Sequence, residues 1–143
     1  MVRLHRDRPV FLVRNSDVKK CNYLYDRQHV VLETNGSGEV STRYVRGINY
    51  IARIDATGQP SYYLYNGHGD VVQTVSEEGT VENQYDYDIF GNPILTLETA
   101  YSSAIRYAGE YYDSESGLYY LRARYYNPYT GRFITEDSYW GED

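Results

Sequence analysis

The feature that most constrains this chain is a pair of tyrosines two residues apart that recurs at a near-constant interval. Tyr23-Leu24-Tyr25-Asp26, Tyr63-Leu64-Tyr65-Asn66 and Tyr85-Asp86-Tyr87-Asp88 are clear copies, and Tyr44-Val45-Arg46-Gly47 is a degenerate one. The leading tyrosines fall at 23, 44, 63, 85 and 107, in steps of 21, 19, 22 and 22 residues. Side chains alternate along a strand, so both rings of a pair lie on one face. Tyrosine also favours strands, and its hydroxyl can reach water or a carbonyl while its ring is buried. A short sequence period of this kind marks one supersecondary unit stacking on the next.

Turn signals punctuate the same stretch. Asn35-Gly36-Ser37-Gly38, Asp55-Ala56-Thr57-Gly58, Asn66-Gly67-His68-Gly69, Glu77-Glu78-Gly79, Phe90-Gly91-Asn92-Pro93, Ser114-Glu115-Ser116-Gly117 and Tyr129-Thr130-Gly131 each supply a glycine for positive φ. Between them the alternation predicts strands at 29–33, 50–54, 71–75, 80–87, 94–97, 105–112 and 118–126. No segment carries a capped 3.6-residue apolar stripe. The expected fold is all-β, a meander of stacked antiparallel hairpins forming a curved open sheet. Nineteen tyrosines against three phenylalanines and one tryptophan fit such a wall. Sparse Leu, Ala, Lys and Glu without heptads exclude a coiled coil, and 12 Gly without a three-residue period beside so many aromatics exclude collagen-like and disordered classes.

Charge is distributed unevenly. Residues 1–53 hold ten Lys or Arg and five acids, 54–105 no Lys or Arg and eight acids, and 106–143 four Arg and seven acids. Arg3, Arg6, Arg8 and Arg14 sit in no recognisable nucleic-acid fold, so nucleic acid is not the expected partner. Cys21 is the sole cysteine, which excludes an intrachain disulfide and a multi-thiolate zinc site. The apolar run Val10–Val13 is too short for a signal peptide or membrane span.

Catalytic constellations are weak. His68, Asp70 and Ser61 contain the residue types of a hydrolase triad without a nucleophile elbow, and His68 reads as a solvated turn residue. Asp86-x-Asp88 lacks the next oxygen ligand of a calcium loop, because Phe90 stands there. His5 and His29 have no spaced partner ligands, and Trp140 reads as a cap on the last strand. No metal or cofactor is expected.

Two blocks carry a family resemblance. Tyr85-Asp86-Tyr87-Asp88-Ile89-Phe90-Gly91-Asn92-Pro93 resembles the YD repeat of Rhs proteins, which are similar to teneurins and bacterial wall-associated toxins. Residues 110–137, from Glu110-Tyr111-Tyr112-Asp113 through Gly117-Leu118-Tyr119-Tyr120-Leu121-Arg122-Ala123-Arg124-Tyr125-Tyr126-Asn127-Pro128 to Gly131-Arg132-Phe133 and Asp137, resemble the Rhs-associated core. The resemblance implies a division into 1–22, a basic segment or degenerate repeat; 23–100, YD-type repeats; and 101–143, the core.

It further implies a β-shell around a C-terminal toxin, in a parent secreted by or displayed on a bacterium. The repeat positions are Tyr23, Tyr25, Asp26, Tyr63, Tyr65, Tyr85, Tyr87, Asp88 and Gly91. The structural core positions are Tyr111, Tyr112, Gly117, Tyr119, Tyr120, Arg122, Arg124, Tyr125, Tyr126, Gly131, Arg132 and Phe133. The family core can act as an aspartyl autoprotease, and Arg124 and Asp137 match its active-site arginine and first aspartate. Asn127 replaces a family aspartate, Asp137 is followed by Ser138 rather than proline, and the sequence ends at Asp143 before a scissile region. The expectation is therefore a non-catalytic wall fragment in which Asp137 forms an ion pair with Arg124 or Arg132. Its partners are the missing repeats, the enclosed toxin and, through open strand edges, further copies of itself. The alternatives are a carbohydrate-recognition module that stacks glycans on exposed tyrosines and a remnant autoprotease.

Overall fold

A computed structural model describes residues 12–13, 22–99, 101–121 and 124–134. The first nine strands are β1 Leu12–Val13, β2 Asn22–Asp26, β3 His29–Thr34, β4 Val40–Arg46, β5 Tyr50–Asp55, β6 Pro60–Tyr65, β7 Val71–Ser76, β8 Val81–Tyr87 and β9 Pro93–Glu98. They form one antiparallel sheet in strict chain order, and that sheet does not close on itself. A second sheet holds β10 Tyr111–Asp113, β11 Leu118–Leu121, β12 Arg124–Asn127 and β13 Arg132–Phe133. The predicted meander is the observed one.

Five connections use the same five-residue turn, opened by Asn35, Asp55, Asn66, Ser76 and Asp88. In each, the first residue's N–H donates to the fifth residue's carbonyl, and the fourth residue's N–H returns to the first carbonyl, at 2.8–3.1 Å. That fourth residue is always glycine, at φ between 84° and 95°, a region where a Cβ is penalised. The side-chain oxygens of Asn35, Asp55, Asn66 and Asp88 each accept the N–H groups of the third and fifth residues. A short side-chain acceptor is therefore needed at the first position, which explains the choice of Asn, Asp or Ser.

Six hairpins also skip one residue of register on the returning strand: Val31, Ser41, Ile51, Val72, Glu82 and Ile94. Such bulges add local twist and re-aim side chains. The skip at Val72 brings Val71 opposite Tyr65 while Thr74 lies opposite Tyr63. Both Val71 and Thr74 are then fully buried, although they are three residues apart.

One face of the long sheet carries the core: Val30, Tyr44, Tyr50, Tyr63, Val71 and Tyr85, joined by Ile105 from beyond the sheet. Tyr23, Tyr25, Tyr65, Tyr87, Ala104 and Tyr111 pack around it. Both members of each tyrosine pair thus serve a single face, as the alternation predicts. On the other face, cross-strand register links Val45, Ala52, Tyr62, Val75 and Val81.

Two predicted strands need correction. Residues 105–112 do not run as one strand, because Tyr107–Gly109 form a 3-10 turn with Ala108 at φ 55° and Gly109 at φ 66°. Ile105 instead bridges back to Tyr111. Residues 118–126 are a hairpin, since Leu121 pairs with Arg124 and Tyr120 with Tyr125. Neither glycine nor proline marks that reversal, so the unbroken aromatic run reads as one strand.

Candidate functional site: the joint between the two sheets

Along one edge of the long sheet, tyrosine hydroxyls tie each repeat to the one before it. Tyr50 donates to the Val30 carbonyl (2.9 Å), Tyr65 to the Tyr50 carbonyl (2.6 Å) and Tyr87 to the Val71 carbonyl (2.8 Å). In the degenerate copy, Arg46 stands where the second tyrosine would be and lies over the Tyr50 ring at 4.9 Å. Burial pushes the Tyr65 hydroxyl up to about 12, with Arg46 opposing the shift and Glu110 adding to it. These groups are neutral donors over the whole physiological range.

The same chemistry attaches the second sheet. Three successive carbonyls of the turn after β8 each accept a tyrosine hydroxyl: Ile89 from Tyr107 (2.8 Å), Phe90 from Tyr126 (2.8 Å) and Gly91 from Tyr119 (3.1 Å). Asn92 Nδ2 donates to the Pro128 carbonyl at 2.9 Å. Gly91 leaves room for the Tyr107 ring, because a Cβ there would lie 2.5 Å from its Cδ1.

The preceding turn on that edge is engaged as well. Asp70 Oδ1 accepts the Ala108 N–H at 2.8 Å and lies 2.9 Å from His68 Nδ1, while Oδ2 accepts from Asn66 Nδ2 at 3.0 Å. Burial alone would raise the Asp70 carboxyl, but the bonds from His68, Ala108 and Asn66 outweigh it and hold the group below its ordinary value. The carboxylate thus clasps the 3-10 turn in its ionised form.

Two charged side chains cross-brace the interior. Arg106 is buried; its Nε donates to the Ser103 carbonyl (2.8 Å), and NH2 reaches Glu98 Oε1 and Ser102 Oγ, both at 2.9 Å. Its guanidinium lies over the rings of Tyr112 (4.5 Å) and Tyr85 (4.9 Å). Glu33 Oε1 accepts hydroxyls from Tyr44 (2.7 Å) and from Tyr111, 78 residues away (2.9 Å). Burial first, then the Glu33 charge, lifts the Tyr44 hydroxyl well above its ordinary value. A cleft of about 170 Å3 lies between the sheets, lined by Tyr23, Glu33, Tyr44, Arg53, Tyr111 and Asp113 among others.

Several of the expected core positions lie at this joint. Tyr119 is fully buried, Tyr111 and Tyr120 pack on Tyr23 and Tyr25, and Tyr112 lies against Tyr119 at 4.9 Å. Tyr120 meets Tyr125, and Tyr126 meets Phe133. Gly117 and Gly131 take positive φ in their turns, and Arg132 is exposed opposite Asn127. Arg124 stacks over the Phe133 ring at 4.0 Å. Asp26 ends β2, and Asp88 is a turn acceptor. Arg122, Asp137, Trp140, Cys21, His5 and most of the N-terminal basic segment lie outside the described residues.

Asn127 Oδ1 accepts the Tyr129 N–H, a turn-forming role. His68 is exposed but not merely solvated, since its ring meets Asp70 and Tyr107; Ser61, buried in β6, is not among its partners. Among the described residues, no three His, Cys, Asp or Glu side chains stand close enough to hold a metal ion. No helix there is long and apolar enough to cross a membrane. Sequence reasoning missed Arg106, Glu33 and the Asp70 clasp. Arg106 had a signal, as the first Lys or Arg after a stretch of 52 residues without one, from 54 to 105.

Fold and joint together define a class: a tyrosine-tied repeat wall with a second, smaller sheet joined to it. No family model matches the sequence. A tRNA3(Ser)-specific nuclease WapA of Bacillus spizizenii is 38% identical over 127 residues, 85% of this chain and 5% of that protein. The tRNA nuclease WapA of Bacillus subtilis is 37% identical over 87% of this chain and 6% of its own length. Toxin protein Tse5 of Pseudomonas aeruginosa is 58% identical over 33 residues, 23% of this chain and 2% of that protein. The chain therefore spans only a small fraction of these relatives. Among solved structures, TcdB2-TccC3 without its hypervariable C-terminal region superposes with a TM-score of 0.68 at 21% identity, covering 90% of this chain and 7% of that one. The chain belongs to the Rhs/YD-repeat proteins.

Proposed function

We propose that the chain is a non-catalytic wall segment of a toxin-delivery protein, contributing to a β-shell that encloses a C-terminal toxin. In this reading residues 23–100 are the repeats and 101–143 the associated core. The observation that carries it is the hydroxyl-to-carbonyl tie repeated from Tyr50 to Tyr87 and then used again by Tyr107, Tyr119 and Tyr126. Such a device can be repeated along a sheet, and it directs these hydroxyls to main-chain carbonyls rather than to a reactant. The Asn127 amide supports the non-catalytic reading, because it cannot exchange a proton as a carboxyl does.

Among the described residues β9 has a single strand neighbour, β8. An open edge of this kind accepts another strand, from the parent or from a second copy. Limited proteolysis of the parent protein tests the function. Its downstream segment should be protected in the intact protein and cut rapidly once residues 23–134 are deleted; equal protection in both would reject the wall. Incubation of the chain alone should release no peptide fragment.

A further inference from the structure

Two of the five matching turns place Asn before Gly, at Asn35-Gly36 and Asn66-Gly67, and both surround the asparagine with groups suited to one reaction. Asn66 Oδ1 accepts the His68 and Asp70 N–H groups, each at 3.0 Å, so two backbone donors already face the oxygen where negative charge would develop. Asn66 Nδ2, the group that would leave, donates to Asp70 Oδ2 at 3.0 Å. The other Asp70 oxygen lies 2.9 Å from His68 Nδ1. Asn66 and Gly67 are exposed, the space where a Gly67 Cβ would sit is open, and the Gly67 N–H takes part in none of the turn's hydrogen bonds. At Asn35 the arrangement repeats. Oδ1 accepts from Ser37 N (3.0 Å) and Glu39 N (2.9 Å), and Nδ2 donates to Glu39 Oε2 (2.8 Å).

We propose that Asn66 is a self-modification site, converted by its own turn to aspartate and isoaspartate. The Gly67 nitrogen attacks Asn66 Cγ and passes its proton to the Asp70 carboxylate. The new N–Cγ bond makes a tetrahedral centre whose oxyanion is held by the His68 and Asp70 N–H groups. Asp70 returns the proton to Nδ2, the Cγ–Nδ2 bond breaks, and ammonia leaves a five-membered imide. Water then opens the ring at either carbonyl, giving aspartate or isoaspartate. Asn35 follows the same course, with Glu39 in the place of Asp70.

The two sites differ in consequence. A carboxylate at position 66 stands against Asp70, which clasps Ala108 and so the second sheet, whereas position 35 faces Glu39 on an exposed turn. In the Asp88 turn the first-to-fifth pairing also carries one acid and one amide, with Asn92 Nδ2 donating to Asp88 Oδ2 at 2.8 Å. Conversion of Asn66 breaks that complementarity at the joint.

The test is peptide mapping by mass spectrometry of the purified chain, aged at neutral pH in oxygen-18 water, folded and in urea. Proton transfer by a positioned group commonly contributes a hundredfold or more, so conversion at Asn66 should run roughly tenfold or more faster in the folded chain than in urea. An equal or slower folded rate would overturn the proposal, because the turn would then be shielding the amide. Asp70→Asn should abolish the folded advantage at residue 66 and leave residue 35 at its own rate. An unchanged advantage at 66 would reject Asp70 as the base. If that variant does not fold, the folded-against-urea comparison on the unaltered chain decides.

Discussion

Replacing Gly91 with alanine separates two costs that the structure places at one atom. Gly91 sits at φ 92°, where a Cβ brings strain of about 1–2 kcal/mol. The same Cβ would lie 2.5, 2.7 and 2.9 Å from Cδ1, Cγ and Cε1 of Tyr107, so the ring must leave. With it go the hydroxyl bond to Ile89, about 1 kcal/mol, and ring contacts with Tyr87 and Tyr119, roughly 0.5–1.5 kcal/mol each. The sum is a loss of about 3–6 kcal/mol.

Gly79 is the control, because it has φ 84° in the same turn type with nothing within 4 Å of its Cβ; Gly79→Ala should cost about 1–2 kcal/mol. Urea denaturation of both variants measures the difference. Combining Gly91→Ala with Tyr107→Ala removes the clash, so the double variant should be far less destabilised than the two single changes summed. Equal losses at 79 and 91, or plain additivity in the double variant, would refute the socket.

Arg106→Met should destabilise by about 2–4 kcal/mol, since it strands the Ser103 carbonyl and part of Glu98 beside a buried site. Arg106→Lys should recover little, because an ammonium cannot reproduce the fork that serves Ser103, Glu98 and Ser102 together; urea midpoints check both. In alkali, Tyr44, Tyr63, Tyr65 and Tyr111 all have hydroxyls raised by burial. A raised folded pKa contributes stability that is full below the unfolded value near 10 and is lost as pH climbs above it. Ionisation of these four tyrosines, followed by tyrosinate absorbance, should therefore occur only together with loss of the far-UV strand signal. Their full ionisation with the fold intact would contradict the burial of these hydroxyls.

The strand order and the shared face of each tyrosine pair were legible because period-two alternation and glycine turns are local signals. Tyr63 and Tyr65 could be placed on one face without coordinates. The break at Tyr107–Gly109 was hidden because Ala108, not glycine, takes one of the left-handed positions. The reversal between Leu121 and Arg124 was hidden by an aromatic run with no breaker. The joint was less legible still. Glu33 finds Tyr111 and Asp70 finds Ala108 across long sequence separations, and no spacing rule encodes such meetings. The resemblance names Tyr119 and Tyr126 as core residues, but their acceptors are the Gly91 and Phe90 carbonyls, which leave no mark in a sequence.

Those carbonyl acceptors also set what evolution is free to change. The β8–β9 turn is gripped through main-chain oxygens of Ile89, Phe90 and Gly91, while the Ile89 and Phe90 side chains stay 83% and 51% exposed. Mutation can alter those two surface positions without loosening the grip, whereas a single tyrosine-to-phenylalanine change on the opposing sheet removes a bond outright. Lineages should therefore diversify the outer lip of this seam while its hydroxyl-bearing side stays fixed.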